Sequence, residues 1–436
     1  MENNQLTIPS HKICKTHLLK ALNSYWVSQS KPIESLPIYE AKNVSIRLPL
    51  NLVPITLPDW GKDYGVNGII LLPGDICEFS PEIEWDKVDW WMGAFIFLEG
   101  WHEREYEKIH GPIHSYSNRL KGWDTRVWDY AWVNRIAMFL RAWAANIAKV
   151  PEEKLLGELP TTELIMTHDV DAISKTLSIR LKQSAFNWYN VYKALKRNDW
   201  QTMLYHVKQA WYFLLSQNNY WLLNEMFDIE QEAGIKSHYN FYADLRHKTI
   251  KRWLFDPGYK ISNERVLRFI DKVYDRGYII GLHPSYDAWE VTSLLKKQIN
   301  YLSETTRKTI NSCRQHWLRF GWNKTWISQV KSGILLDTTL MFNDRPGFRC
   351  AASLIWHPWN TNITSEHTLT CLPTIIMDSH LYDYNSMNDA QRILQMQRWI
   401  NEVKFVHGKA AVLWHPHTLA KDYGWKKGFL EMIKLF

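Results

Sequence analysis

Asp169 and Asp171 follow the apolar run Leu164-Ile165-Met166 and are separated by a single valine. Alternate side chains of an extended strand point to one side, so both carboxylates face the same way while Val170 turns to the other. One carboxylate of such a pair can bind a divalent metal while the other moves protons. Strand-end aspartates also serve as turn formers and helix caps, so the pair alone leaves both readings open. Further on, Gly281-Leu282-His283-Pro284-Ser285-Tyr286-Asp287 places an imidazole and a carboxylate four residues apart. One turn of helix or loop would bring both to a common metal. A lone strand-end histidine is otherwise a structural hydrogen-bonding group. Together with Leu413-Trp414-His415 near the C-terminus, the three motifs point to a site.

The elements that must position these groups begin near residue 162. From there strand-like runs alternate with helical ones, the signature of a parallel β/α architecture. Seven strands are predicted, at 163–167, 236–242, 278–282, 312–317, 334–336, 372–377 and 410–414. Helical patterns between them include 263–274 and 389–406. Asp169, Asp171, His283, Asp337, Asp378 and His415 sit just past strand ends, where parallel β/α folds collect their ligands.

Residues 1–155 are predicted to form a separate, smaller α/β domain. Its Ile69-Ile70-Leu71-Leu72, between Gly68 and Pro73, has the look of a strand, and 134–148 is an amphipathic helix carrying Ile136, Phe139, Leu140 and Trp143. Residues 151–154 are the expected linker, and 156–436 the second domain. Twenty-four tryptophans among 436 residues suit packing, broad apolar surfaces, or a sugar or lipid partner. The cysteines Cys14, Cys77, Cys313, Cys350 and Cys371 are odd in number and lack C-x-x-C spacing, which argues against a disulfide framework or a zinc-thiolate site. Met1-Glu2-Asn3-Asn4-Gln5 has no basic region leading into an apolar core, and no apolar run approaches membrane-spanning length. A cytoplasmic protein is expected. No repeat or low-complexity segment is present.

Between the first two predicted strands lies a helical insertion, about 172–231. Its core, 174–215, holds Lys175, Arg180, Lys182, Lys193, Lys196, Arg197 and Lys208 against the single acid Asp199. Apolar residues recur there at helical spacing, as in Trp188, Tyr192 and Leu195, or Leu204, Val207 and Trp211. Such a pair of helices can lie on an anionic membrane surface, here the inner face of the membrane, or grip a phosphate-bearing substrate. It can equally be a solvated face over an ordinary core stripe. No nucleic-acid partner is expected, because no recognised binding module accompanies the charge.

From about residue 163 to the C-terminus the chain resembles the polysaccharide deacetylase family of carbohydrate esterases, on the ordered motifs quoted above. The resemblance implies a distorted (β/α)7 barrel that removes acetyl groups with a bound divalent metal, zinc first, with iron, manganese or cobalt as alternatives. It implies Asp169 as catalytic base and Asp171 as metal ligand. The family's His-x-x-x-His is His283 and Asp287 here, so the resemblance puts both on the metal, with a carboxylate in the place of the second imidazole; a harder ligand there tilts the choice toward oxygen-tolerant metals. Gly347-Phe348-Arg349-Cys350 resembles the arginine motif, in which Arg349 would pair with Asp169 and keep it anionic. Asp378 would orient His415, the general acid, although His417, two residues on, could take that part or bind the metal instead. Arg314-Gln315-His316, Leu336-Asp337-Thr338-Thr339 and the stretch Phe95-Ile96-Phe97-Leu98-Glu99-Gly100-Trp101-His102-Glu103-Arg104-Glu105 resemble a divergent branch in which an N-terminal domain precedes the barrel.

The implied function is a metal-dependent deacetylase acting on an acetylated glycan or sugar intermediate in surface polysaccharide or lipopolysaccharide assembly. Two alternatives remain at this point. One is a non-catalytic glycan- or lipid-carrier-binding protein, for which Asp287 in place of histidine is the best support; the other is an amide hydrolase of a small non-sugar substrate. His168 and His316 either line the site or are held by packing and backbone hydrogen bonds.

Overall fold

The computed structural model describes residues 6–76, 83–383 and 387–436; Met1 to Gln5 and Cys77 lie outside the described residues. The first 155 residues are mainly helical, with one antiparallel hairpin of β1 (Leu52–Thr56) and β2 (Ile69–Pro73). The helix Trp90–Leu98 is buried on every side, as an all-apolar helix must be. Asp89 starts it by accepting the Met92 backbone N–H. At the corner between this helix and Trp101–His110, Gly100 has φ +56°, and a side chain there would run into the Trp322 indole. The expected helix at 134–148 spans Trp132–Ala148, and the expected linker is taken up by a short helix, Glu152–Leu156.

The second part is built on β3 (Glu163–Val170), β4 (His238–Phe241), β5 (Ile279–Leu282), β6 (Ser312–Cys313) and β7 (Leu336–Asp337). A small antiparallel pair follows, β8 (Trp359–Asn360) and β9 (Ser365–Glu366), and then β10 (Thr370–Cys371), β11 (Thr374–Met377) and β12 (Lys409–Leu413). One eight-stranded sheet runs in the order β10-β7-β6-β5-β4-β3-β12-β11, every pairing parallel. All seven expected strands are in it, and β10 is an eighth. The edge strands β10 and β11 are joined by Leu372 and Pro373 alone. Three Cα steps reach only about 10 Å, so the end of β10 lies near the start of β11 and the sheet is curled into an incompletely closed barrel.

Helices cover the outside of the sheet. Glu264–Tyr274 turns Val266, Phe269, Ile270 and Val273 inward and is capped by Asn263, and Asp389–Phe405 opens with a reciprocal Asn388–Gln391 capping box. The insertion after β3 is a helical hairpin, Leu177–Lys196 and Trp200–Leu215, followed by Leu223–Glu232. Asn198 turns the hairpin at φ +55°, and Asp199 caps its second helix through the Thr202 N–H.

Residue 155 marks a change of architecture and no break in packing. A single apolar cluster joins Leu18, Trp91, Phe95 and Phe139 to Phe348, Trp356, Trp399 and Phe429 of the barrel. Buried ion pairs bind the same two parts: Arg349 Nη2 to Glu103 Oε2 at 2.8 Å and Arg135 Nη2 to Glu402 Oε2 at 2.6 Å. Glu99 accepts from the Trp356 indole and the Trp359 backbone. Most tryptophans are buried in this core. Cys14, Cys313, Cys350 and Cys371 are buried free thiols. Among the described residues no helix is long and apolar enough to cross a membrane.

Candidate metal centre and active site

β3 delivers its carboxylates side by side at its C-terminal end, while Val170 faces the apolar cluster behind the sheet. Asp169 is buried at 2 % exposure. Its Oδ1 accepts the Asn240 amide at 2.9 Å and lies 3.5 Å from Arg314 Nη1. Asp171, one step beyond the strand, places Oδ1 3.3 Å from His283 Nε2 and 3.6 Å from His316 Nε2, and Oδ2 3.6 Å from His415 Nε2.

His283 follows β5 and its backbone N–H donates to Phe241. Its Nδ1–H donates to the Arg314 carbonyl at 2.8 Å, which leaves the Nε2 lone pair facing Asp171. His316 follows β6, with Nδ1 3.8 Å from Asp256, itself paired with Arg252. Asp171, His283 and His316 are the one group of potential ligands among the described residues whose donor atoms all lie within 4.8 Å of one another. Among the described residues Asp171 Oδ1 has no hydrogen-bond partner although buried, a costly condition for a carboxylate unless a cation completes it. One carboxylate oxygen and two imidazole nitrogens fit a divalent ion of the zinc, iron or manganese kind.

The charges agree with this arrangement. Burial pushes the Asp171 carboxyl up, but the imidazoles of His283, His316 and His415 around it outweigh that and hold the group well below the usual carboxylate range. His283 is raised, since Asp169 and Asp171 together outweigh its burial. His316 is lowered, chiefly by burial.

Across the mouth, Asp378 follows β11 and His415 follows β12. His415 Nδ1 lies 2.9 Å from Asp378 Oδ1, and the His415 backbone N–H and the Thr418 hydroxyl donate to Asp378 Oδ2 at 2.8 and 3.1 Å. Burial disfavours the imidazolium, but the Asp378 charge and hydrogen bond, helped by Asp171 and Asp169, raise His415 to about 10. His417 differs: burial and the neighbouring His415 depress it to about 4, and its Nδ1 has no partner among the described residues. The two histidines that sequence left equivalent are thus separated by their surroundings.

Two expected site residues stand elsewhere. Asp287 was expected on the metal beside His283, but Pro284 and the following turns keep 283–288 out of helical geometry, so a spacing of four brings no convergence. Its Oδ1 lies 2.7 Å from Lys251 Nζ and 3.9 Å from Arg319. Arg349 was expected beside Asp169; its guanidinium is instead on Glu103, with Nη1 on the Met341 carbonyl. The arginine beside Asp169 is Arg314, fully buried, with N–H groups also on Thr167 Oγ1, Thr374 Oγ1 and the Thr338 carbonyl. Arg314 and His316 share the end of the short β6, which stops at Cys313 where the predicted strand ran on to 317; the Arg314-Gln315-His316 motif was the available signal. Asp337, another strand-end residue, is held inside by Trp326, Gln329 and Thr339. His168 points away from the mouth, between the Trp414 carbonyl and Glu230.

No protein-family model and no curated protein matches this chain. Solved structures do. A candidate polysaccharide deacetylase from Mycobacterium smegmatis is 16 % identical, with 64 % of this chain and 85 % of that one covered and a TM-score of 0.37. The chitin deacetylase of the fungal pathogen Colletotrichum lindemuthianum is 10 % identical over 64 % and 84 %, TM-score 0.32. A CE4 family pseudoenzyme from Bacillus anthracis is 12 % identical over 63 % and 60 %, TM-score 0.28. The solved structures to which this chain is similar are polysaccharide deacetylase and CE4 family structures, at low identity.

Proposed function

We propose that the protein is a metal-dependent hydrolase that removes an acetyl group from a sugar or glycan. The observation that carries this reading is the convergence of three separate functions at one barrel mouth: a ligand group of Asp171, His283 and His316, a carboxylate at Asp169, and the His415–Asp378 pair. Asp171, His283 and His316 would hold the ion, which when bound polarises a carbonyl and acidifies water.

The remaining chemistry falls to side chains. Asp169, fixed by Asn240 and Arg314, takes a proton from the attacking water as its oxygen bonds to the acetyl carbon. His415, carried as imidazolium by Asp378, then gives its proton to the departing nitrogen or oxygen as the bond to the acetyl carbon breaks. Acetate and the free amine or alcohol are the products. Arg314 acts by position, itself fixed by Thr167, Thr338 and Thr374 beside Asp169.

The non-catalytic alternative rested on Asp287 in place of an imidazole. His316 beside His283 offers a second imidazole in its place, which supports the enzyme reading. The acetylated glycan of a surface polysaccharide is the substrate class we propose, on the motif resemblance. The test is acetate release from N- and O-acetylated oligosaccharides by zinc-loaded protein, alongside metal content before and after chelation. Stoichiometric metal with acetate release that Asp169→Asn abolishes supports the reading; protein that binds no divalent ion overturns it.

A further inference from the structure

The helical hairpin 177–215 is pinned at its base and bare along its outer faces. At the base Lys175 Nζ lies 2.6 Å from Asp422, Arg180 donates to the Leu214 and Ser216 carbonyls, and the Ser178 hydroxyl donates to the Trp253 carbonyl. From there the 20 residues of Leu177–Lys196 extend about 30 Å to a turn at which Lys193, Lys196, Arg197 and Trp200 are all exposed.

A core stripe would bury the aromatic faces, and they are not buried. Trp188 is 45 % exposed, Tyr192 53 %, Trp200 62 %, Leu204 55 %, Trp211 53 % and Leu215 69 %. The side chains the two helices bury are largely small ones, among them Ser184, Val191, Ala194 and Ala210, and Asn187 meets His206 between them. On the second helix, Trp200, Leu204, Lys208, Trp211 and Leu215 follow one another three or four residues apart and form a single stripe. On the first, Lys196 lies over the Tyr192 ring and Lys193 over the Tyr189 ring. Each helix therefore carries exposed apolar and cationic groups side by side, and Asp199 is the sole acid of the segment.

This mixture selects the occupant. A second copy of the hairpin would bring its cations against like charges. A purely apolar partner would strand Lys193, Lys196, Arg197 and Lys208 away from water unpaired. A nucleic acid would match the charge but leave Leu204 and Leu215 with no apolar surface to meet. An anionic bilayer satisfies both, because its headgroups take the cations while tryptophan and leucine enter the headgroup–acyl boundary. We propose that the hairpin 177–215 docks the protein on an anionic lipid bilayer. Asp171 stands six residues before the first helix, so docking carries the candidate centre to the membrane with it. This attachment is independent of the chemistry at the centre.

The full-length protein is co-sedimented with vesicles of phosphatidylcholine alone and of phosphatidylcholine with phosphatidylglycerol, at low and high salt. It should pellet with the anionic vesicles at low salt and be released at high salt. Each cation neutralised should weaken attachment about 5-fold, so Lys193→Gln, Lys196→Gln and Arg197→Gln together should cost on the order of 10²-fold. Trp200→Ser with Leu204→Ser should also release the protein, and melting curves of both variants should match the wild type, since these side chains are exposed. Equal pelleting with both vesicle types, pelleting with neither, or undiminished binding by the triple variant overturns the proposal. So does tighter binding to single-stranded DNA than to anionic vesicles, or dimerisation through Trp200 without lipid.

Discussion

Arg314 lies 3.5 Å from Asp169 and donates to the Thr167 and Thr374 hydroxyls and the Thr338 carbonyl. Arg349, which the motif resemblance places beside Asp169, is committed to Glu103. Both guanidiniums are buried, so removing either leaves a carboxylate short of a partner, at a cost of roughly 3–5 kcal/mol. Their effects on turnover should differ. Arg314→Gln should lower both stability and kcat, whereas Arg349→Gln should lower the melting temperature and leave kcat per folded molecule near wild type. Denaturant titration alongside acetate release distinguishes them, and an equal loss of kcat in Arg349→Gln would contradict the assignment.

Asp169→Asn should lower turnover by about 10²- to 10⁴-fold, the usual worth of general-base help. Metal content should stay at the wild-type level, because Asp169 is not in the ligand group. Elemental analysis of the same preparation used for kinetics provides the check; loss of metal would make Asp169 a ligand.

His316→Ala should abolish stoichiometric metal binding, and Asp287→Ala should not. Asp256→Asn, which disturbs the carboxylate beside His316, should weaken binding by about 10- to 100-fold. Calorimetric titration with zinc ranks the three. Metal lost on Asp287→Ala and kept on His316→Ala would reverse the ligand set.

The first part of the chain has its own titration. Burial lowers the affinity of His17 for a proton, but hydrogen bonds and charge from Glu366 and Glu99 raise it to about 9. A histidine raised in the folded state adds stability that is complete below its unfolded value near 6.5 and is lost as pH climbs through about 9. The difference in unfolding free energy between wild type and His17→Asn, on the order of 1–3 kcal/mol, should therefore be largest at pH 6 and shrink by pH 9.5. A difference that grows with pH would mean His17 is held neutral.

The strand ends were legible because a strand alternates and a parallel sheet gathers whatever follows its strands. Those two facts place Asp169, Asp171, His283, Asp378 and His415 in one region without any three-dimensional knowledge, and the structure brings these five together. Partner choice was not legible. His283 meets His316 from the neighbouring strand, and the four-residue spacing to Asp287 fails because Pro284 opens a loop. Arg349 finds Glu103 246 positions away, across a packing surface that no local periodicity records. The exposed aromatics of the hairpin show the same limit from the other side, since a helical stripe reads alike whether it faces a core or the outside.

The continuity of the apolar cluster across residue 155 bears on how the chain comes to be folded. Phe348, Trp356 and Trp399 lie in the same apolar cluster as Trp91, Phe95 and Trp101 of the first part, and Arg349 is paired with Glu103. The N-terminal helices emerge first during synthesis yet cannot complete their burial until the last third of the chain is made. A gene split at the apparent domain boundary should consequently yield two fragments that are aggregation-prone apart and recover only when expressed together, as halves of one cooperative unit.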